Sequence, residues 1–142
     1  MTRINVVPVK ELADQHLLAE IREITRLPSN LRTSLNRKSG PLKDSEIPLE
    51  YVLGKGHVKF FMDKFKWLEG RFLSLLEECD NRGFTISNRD ATIFKNVPSK
   101  FYGTYQVNEA AKELNRIRIQ ERIAAKPEFY RYKGAKYEQK SI

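Results

Sequence analysis

A chain of 142 residues with 26 Lys and Arg against 18 Asp and Glu carries a formal charge of +8. That suits one domain with a modest core and a surface that favours a polyanion such as nucleic acid or anionic lipid. One cysteine excludes an intramolecular disulfide and any cysteine-based zinc site, and two scattered histidines do not suggest a metal centre. No apolar run approaches the roughly 20 residues of a membrane span, and the opening Met1-Thr2-Arg3-Ile4-Asn5 lacks the apolar core of a signal peptide. The expectation is a soluble intracellular protein.

In chain order, residues 1–9 read as an ordered arm, with the β-formers Val6, Val7 and Val9 and with Pro8 limiting any strand. From Lys10 to Thr25 the pattern is helical, and Leu17, Ile21 and Ile24 form an apolar stripe. Pro28-Ser29-Asn30 interrupts it; Leu31 and Leu35 allow another turn or two before Lys38-Ser39-Gly40-Pro41. Residues 38–56 read as a long loop. A second helix is predicted from His57 to Arg82, carrying Phe61, Phe65, Leu68, Phe72, Leu75 and Cys79 at helical spacing, with Gly83 as its C-terminal cap. Residues 84–107 read as irregular, and Asn108 caps a third helix that runs to Ala125 and stops before Pro127. The tail, 128–142, is aromatic and basic. The fold class is all-α: a compact single domain over 1–142, three main helices, long irregular connections and little or no sheet.

Several groupings have chemical potential, and each has a plain structural explanation beside it. His16, Glu20 and Glu23 share one face of the first helix, with Arg26 at its edge and Arg22 further round. Taken alone, that pattern is better accounted for by a solvated polar face with Glu–Arg pairing. Arg118, Arg122 and Lys126 make a stripe on the third helix that suits a phosphate backbone or simply water. Phe129-Tyr130-Arg131-Tyr132-Lys133 interleaves rings and cations, for stacking on bases or for packing on the core. Gly54-Lys55-Gly56 is a weak likeness of a phosphate-binding turn and lacks the spacing of the known fingerprints. Cys79 sits on the apolar helix face and reads as a small core residue. Thr2 is small enough for Met1 to be removed before it, which would expose its α-amine. With a pKa of about 7.7–8.0, against about 10.4 for lysine, such an amine is partly unprotonated at neutral pH and is a ready nucleophile toward a sugar carbon.

Taken together, Thr2-Arg3-Ile4-Asn5, Glu11-Leu12-Ala13-Asp14-Gln15-His16-Leu17, Ala19-Glu20, Arg22-Glu23 and Arg26 resemble the phage-type endonuclease V family of pyrimidine-dimer DNA glycosylases. The likeness resumes at Leu53-Gly54-Lys55-Gly56-His57-Val58, Phe60-Phe61, Asp63-Lys64, Glu78-Cys79 and Arg82-Gly83-Phe84, and from Arg118 through the Tyr130-containing tail; residues 27–50 and 85–100 are loosest. The resemblance implies that the Thr2 amine attacks C1′ of the 5′ nucleotide of a dimer, and that Glu23 handles protons and assists strand cleavage by β-elimination. It implies DNA contacts from Arg3, His16, Arg22, Arg26, Arg118, Arg122, Tyr130, Arg131 and Tyr132, with base flipping in a kinked duplex. The implied partner is double-stranded DNA carrying dimers or abasic sites, and the protein is expected to act as a monomer, in the cytoplasm or at the nucleoid, with no cofactor and no metal. Departures fall at Ile21 and Thr25, where the family pattern has Tyr and Pro, and at Phe129 and Lys133, where it has Trp and Tyr. They bear on lesion range. Other readings are an amine-dependent glycosylase or lyase for other lesions or abasic sites, and a basic DNA-binding module without catalysis.

Overall fold

The computed structural model describes residues 4–137. Within them the helices are α1 (Asp14–Ile24), α2 (Leu27–Leu35), α3 (His57–Phe60), α4 (Phe65–Arg82) and α5 (Glu109–Ala125). Short 3-10 turns lie at Val9–Glu11, Asp44–Glu46, Ala91–Phe94 and Ser99–Phe101, and two strands, β1 (Arg131–Tyr132) and β2 (Ala135–Lys136), form an antiparallel hairpin. The chain is mostly helical, as expected, and α1, α4 and α5 are its three main helices.

The core forms where α1 packs on α4. Leu17, Ile21 and Ile24 are buried from one side, and Phe65, Leu68, Phe72, Leu75 and Cys79 from the other. Each large apolar side chain removed from water contributes about 1.5–3 kcal/mol. Burial pushes the Cys79 thiol up to about 11, which suits an unreactive core residue.

Element boundaries differ from the sequence expectation in three places. First, α1 starts at Asp14 rather than Lys10, because Leu12 and Ala13 are extended and buried behind the turn at Val9–Glu11. Second, Pro28 does not end a helix. It stands in the first turn of α2, where its missing N–H would have had no partner anyway.

Third, the helix expected over His57–Arg82 is split by residues 61–64. The chain around Gly103 inserts there: Gly103 N–H donates to Asp63 O at 3.1 Å, and Gly103 O accepts from Lys66 and Trp67 N–H at 3.1 and 3.3 Å. Those two amides are among the orphan donors at the start of α4. The approach requires glycine, since a Cβ at position 103 would lie 2.3 Å from Asp63 O.

The tail folds back onto the N-terminal end of α1. The hairpin turn takes positive φ at Lys133 (50°) and Gly134 (82°), which matches the twist of a two-residue hairpin. Both turn amides donate to the Asp14 carboxylate at 2.9 Å. Arg82 joins that carboxylate at 3.0 Å, pairs with Glu78 at 2.8 Å, and lies 4.2 Å from the centre of the Tyr132 ring.

Candidate nucleic-acid interface and active site

The arm that leads to the N-terminus runs through the core and is held at each peptide. Ile4 N–H donates to His57 Nε2 at 3.0 Å, and Ile4 O accepts from the Tyr51 hydroxyl at 3.1 Å. Asn5 donates to Glu20 at 2.8 Å and accepts from Asn115 at 2.9 Å. Asn115 Oδ1 accepts the amides of Val6 and Val7 at 2.7 and 3.1 Å, and Arg71 donates to Val7 O. Asn5, Glu20, His57, Arg71 and Asn115 are all buried. A buried polar group is costly unless it is hydrogen-bonded, so losing any one of these bonds would leave its partner unsatisfied at a cost of about 1–3 kcal/mol.

α1 carries the polar face predicted from sequence, but the structure divides it. Glu20 turns inward and is committed to Asn5 and Arg71. Glu23, at 21% exposure, lies at the surface and accepts from Arg26 Nη1 at 3.1 Å. Arg22 is exposed beside it. The rise of a helix, about 1.5 Å per residue, puts Glu23 about 4.5 Å further along the axis than Glu20. Thr2 and Arg3 lie outside the described residues.

One turn before Glu20, His16 packs against Tyr130 in a tilted arrangement, with ring centroids 4.7 Å apart at 35°. Burial, with Arg122 nearby, lowers His16 from 6.5 to about 4, so the ring is neutral at physiological pH. Its Nδ1 is buried and, among the described residues, is the one such side-chain atom without a hydrogen-bond partner. An unsatisfied buried nitrogen of this kind asks for an explanation, and a ligand contact is one.

The tail is pinned beside this ring by Gln15, which donates to Phe129 O at 2.9 Å and accepts from Arg131 N–H at 3.0 Å. Tyr130 is therefore buried, while Tyr132 donates to Lys10 O at 2.8 Å with its ring beneath Arg82. Phe129 remains more than half exposed. The Arg131 guanidinium turns back to Glu128 O at 2.8 Å and Tyr130 O at 3.2 Å. Tyr130 and Tyr132 thus have internal packing partners in His16 and Arg82, and Phe129 is the most open ring of the tail sequence Phe129-Tyr130-Arg131-Tyr132-Lys133.

α5 begins with the predicted cap, Asn108 accepting from Ala111 N–H at 2.8 Å. Its inner face is Ala111, Asn115, Ile119 and Ile123. Arg118 and Arg122 stand on the flank, near enough that the charge of Arg118 is felt at Tyr51 and that of Arg122 at His16. Burial nonetheless pushes the Tyr51 hydroxyl well above its ordinary value, so it stays a donor to the arm. The structure thus brings α1, α5 and the tail together around His16, with Arg118 beside the arm.

Sequence reading did not single out Asn5, Tyr51, Arg71 or Asn115. A signal existed for two of them: Arg71 and Asn115 each occupy a core-facing position in a helical stripe, Arg71 between Leu68 and Leu75, Asn115 between Ala111 and Ile119. A groove of about 640 Å³ runs between the arm and Trp67, Arg71, Val107 and Lys112, and neither Glu23 nor His16 lines it. Among the described residues no group of three or more His, Cys, Asp or Glu is placed to hold a metal ion, and no helix is long and apolar enough to cross a membrane. Residues 1–92, which contain the arm, α1 and the His57 clamp, match the family model described as pyrimidine dimer DNA glycosylase.

Proposed function

Because the chain belongs to the pyrimidine dimer DNA glycosylase family, we propose that it excises pyrimidine dimers with the α-amine of Thr2 and then cleaves the strand as a lyase. In the first step the unprotonated amine forms a bond to C1′. The glycosidic C1′–N bond breaks, and the departing base takes the electron pair and a proton. Opening of the sugar at O4′ leaves an imine between Thr2 and C1′. Loss of a proton from C2′ then expels the 3′ phosphate and breaks the strand. Glu23 is the proton-handling group and stabilises positive charge as it develops on the sugar.

The observation that carries this reading is the clamped arm. Ile4 and Asn5 are fixed to His57, Tyr51, Glu20 and Asn115, and two further residues span at most about 7 Å. An amine at residue 2 is therefore tethered to a fixed point at Ile4, and we take Glu23, one turn beyond the Asn5 partner Glu20, as the carboxylate it works with. Pre-paid positioning of this kind is worth several kcal/mol of barrier. Arg3, Arg22, Arg26, Arg118 and Arg122 form the proposed duplex contact, and the tail residues Tyr130, Arg131 and Tyr132, packed against His16 and Arg82, support that face from behind. The protein acts as a monomer in this reading.

The test is nicking of ultraviolet-irradiated supercoiled plasmid in the presence of a chelator, beside plasmid carrying abasic sites. Cleavage of both, and of neither in untreated form, is expected. Cleavage of abasic plasmid alone would replace dimer excision by a lyase acting on other lesions, and cleavage of neither would leave a DNA-binding module.

A further inference from the structure

We propose that His57 is a positioning residue for the N-terminal amine, acting through the peptide N–H of Ile4. The inference rests on the amine mechanism above. Its geometry is independent of it. His57 Nδ1 lies 2.7 Å from Val52 O, which can only accept, so Nδ1 carries the proton. Nε2 is then a lone pair, and it accepts the Ile4 N–H at 3.0 Å. The ring is 4% exposed and is walled edge-on by Tyr51 at 5.4 Å and Phe61 at 5.5 Å, which holds its plane. A carbonyl on one side thus selects the tautomer that can hold the arm on the other.

The turn that precedes His57 serves this arrangement. Gly54 and Gly56 both have positive φ, 72° and 89°, and His57 N–H donates to Gly54 O at 3.1 Å. A Cβ at Gly56 would also meet Pro48 Cγ at 3.3 Å. This tight loop brings the Val52 carbonyl back over the imidazole five residues later, which accounts for Gly54-Lys55-Gly56 without a phosphate.

The Ile4 N–H belongs to the planar peptide unit on the N-terminal side of Ile4. Holding that N–H sets the direction from which the upstream chain enters the core. Tyr51 holds the Ile4 carbonyl at the other end of the residue. With both ends fixed, the plane at Ile4 sets the starting point and direction of the upstream chain, and through them the region an amine two residues away can occupy.

The experiment uses the full chain with its native N-terminus, in wild-type, His57→Phe and His57→Gln forms. Phe fills the cavity without an acceptor, and Gln offers Oε1 to the Ile4 N–H. Single-turnover dimer excision is expected to fall about tenfold or more in His57→Phe, with affinity for dimer-containing duplex unchanged, as a misplaced nucleophile requires. His57→Gln should recover most of the rate. In wild type, long-range proton–nitrogen correlation spectra should find Nδ1 protonated and Nε2 bare. A protonated Nε2, an equally active His57→Phe, or a His57→Gln no faster than His57→Phe overturns the proposal. Should His57→Phe not fold, the tautomer and the rate of His57→Gln decide: a bare Nε2 with near-wild-type His57→Gln supports the inference, and a protonated Nε2 ends it. A wild type inactive on dimers would sink the amine mechanism instead, which keeps the two failures apart.

Discussion

Glu20 and Arg71 meet as a two-point ion pair inside the protein, Nε to Oε2 at 2.8 Å and Nη2 to Oε1 at 3.0 Å, with side chains 0% and 7% exposed. The pair does more than neutralise itself. Glu20 also takes the amide of Asn5, and Arg71 donates to Val7 O, so both ends grip the arm. Removing one partner strands a charge away from water. Arg71→Met is therefore expected to cost about 3–5 kcal/mol, read by urea unfolding. The double variant Glu20→Leu/Arg71→Met should regain much of that stability, because two well-packed apolar groups replace a desolvated pair. It should not regain dimer excision, because the arm has lost its anchors. Full activity in the double variant would separate the pair from the positioning of the amine.

His16 makes stability depend on pH. Burial first, then the charge of Arg122, lowers it from 6.5 to about 4. In the unfolded chain the ring takes its proton near 6.5, so between 6.5 and 4 the unfolded state binds more protons than the folded one. The contribution is complete above 6.5, declines as pH falls to 4, and changes no further below. A shift of this size corresponds to at most about 3.5 kcal/mol. His16→Phe, which keeps a ring against Tyr130, should lose this part of the acid sensitivity. Equal declines for wild type and variant between pH 6.5 and 4 would remove His16 as its source.

The periodicity of α1, α4 and α5 was legible because each buries a regular stripe, such as Leu17, Ile21 and Ile24. What escaped the sequence depends on partners far along the chain. The break at residues 61–64 is made by Gly103, and Glu20 is drawn off the solvent face by Arg71. Asn115 meets Asn5 across 110 positions. No local pattern encodes such pairs. His16, Glu20 and Glu23 looked like one face because helical spacing reports angle, and angle alone does not tell a buried carboxylate from an exposed one. The tail aromatics were ambiguous for a similar reason: Tyr130 and Tyr132 have as much use for His16 and Arg82 as for a base.

Arg118 and Arg122 stand on the flank of α5, beside the arm and His16. Each phosphate they neutralise would release counterions, so affinity for undamaged duplex should fall steeply with salt. Arg118→Ala and Arg122→Ala should each flatten the slope of log affinity against log salt by about one. Unchanged slopes in both variants would take α5 out of the interface.

Glu23 is paired with Arg26 at the surface of α1. Glu23→Gln keeps the shape and removes the charge. A group that handles protons only in the transition state should lower the rate of excision by at least about a hundredfold and leave lesion binding intact. A variant that still excises dimers at near-normal rate would assign the proton transfers elsewhere.

The central claim is that the reacting atom is the α-amine of Thr2, and borohydride trapping tests it most directly. An imine to C1′ is reduced to a stable amine, joining protein to DNA. Mass spectrometry of the digest should place the adduct on the N-terminal peptide, with trapping indifferent to chelators and abolished by acetylation or by retained Met1. Thr2→Ser should trap as well as wild type, since the amine and not the hydroxyl reacts. An adduct on a lysine such as Lys10 or Lys133, or dimer excision with no adduct at all, would contradict the account.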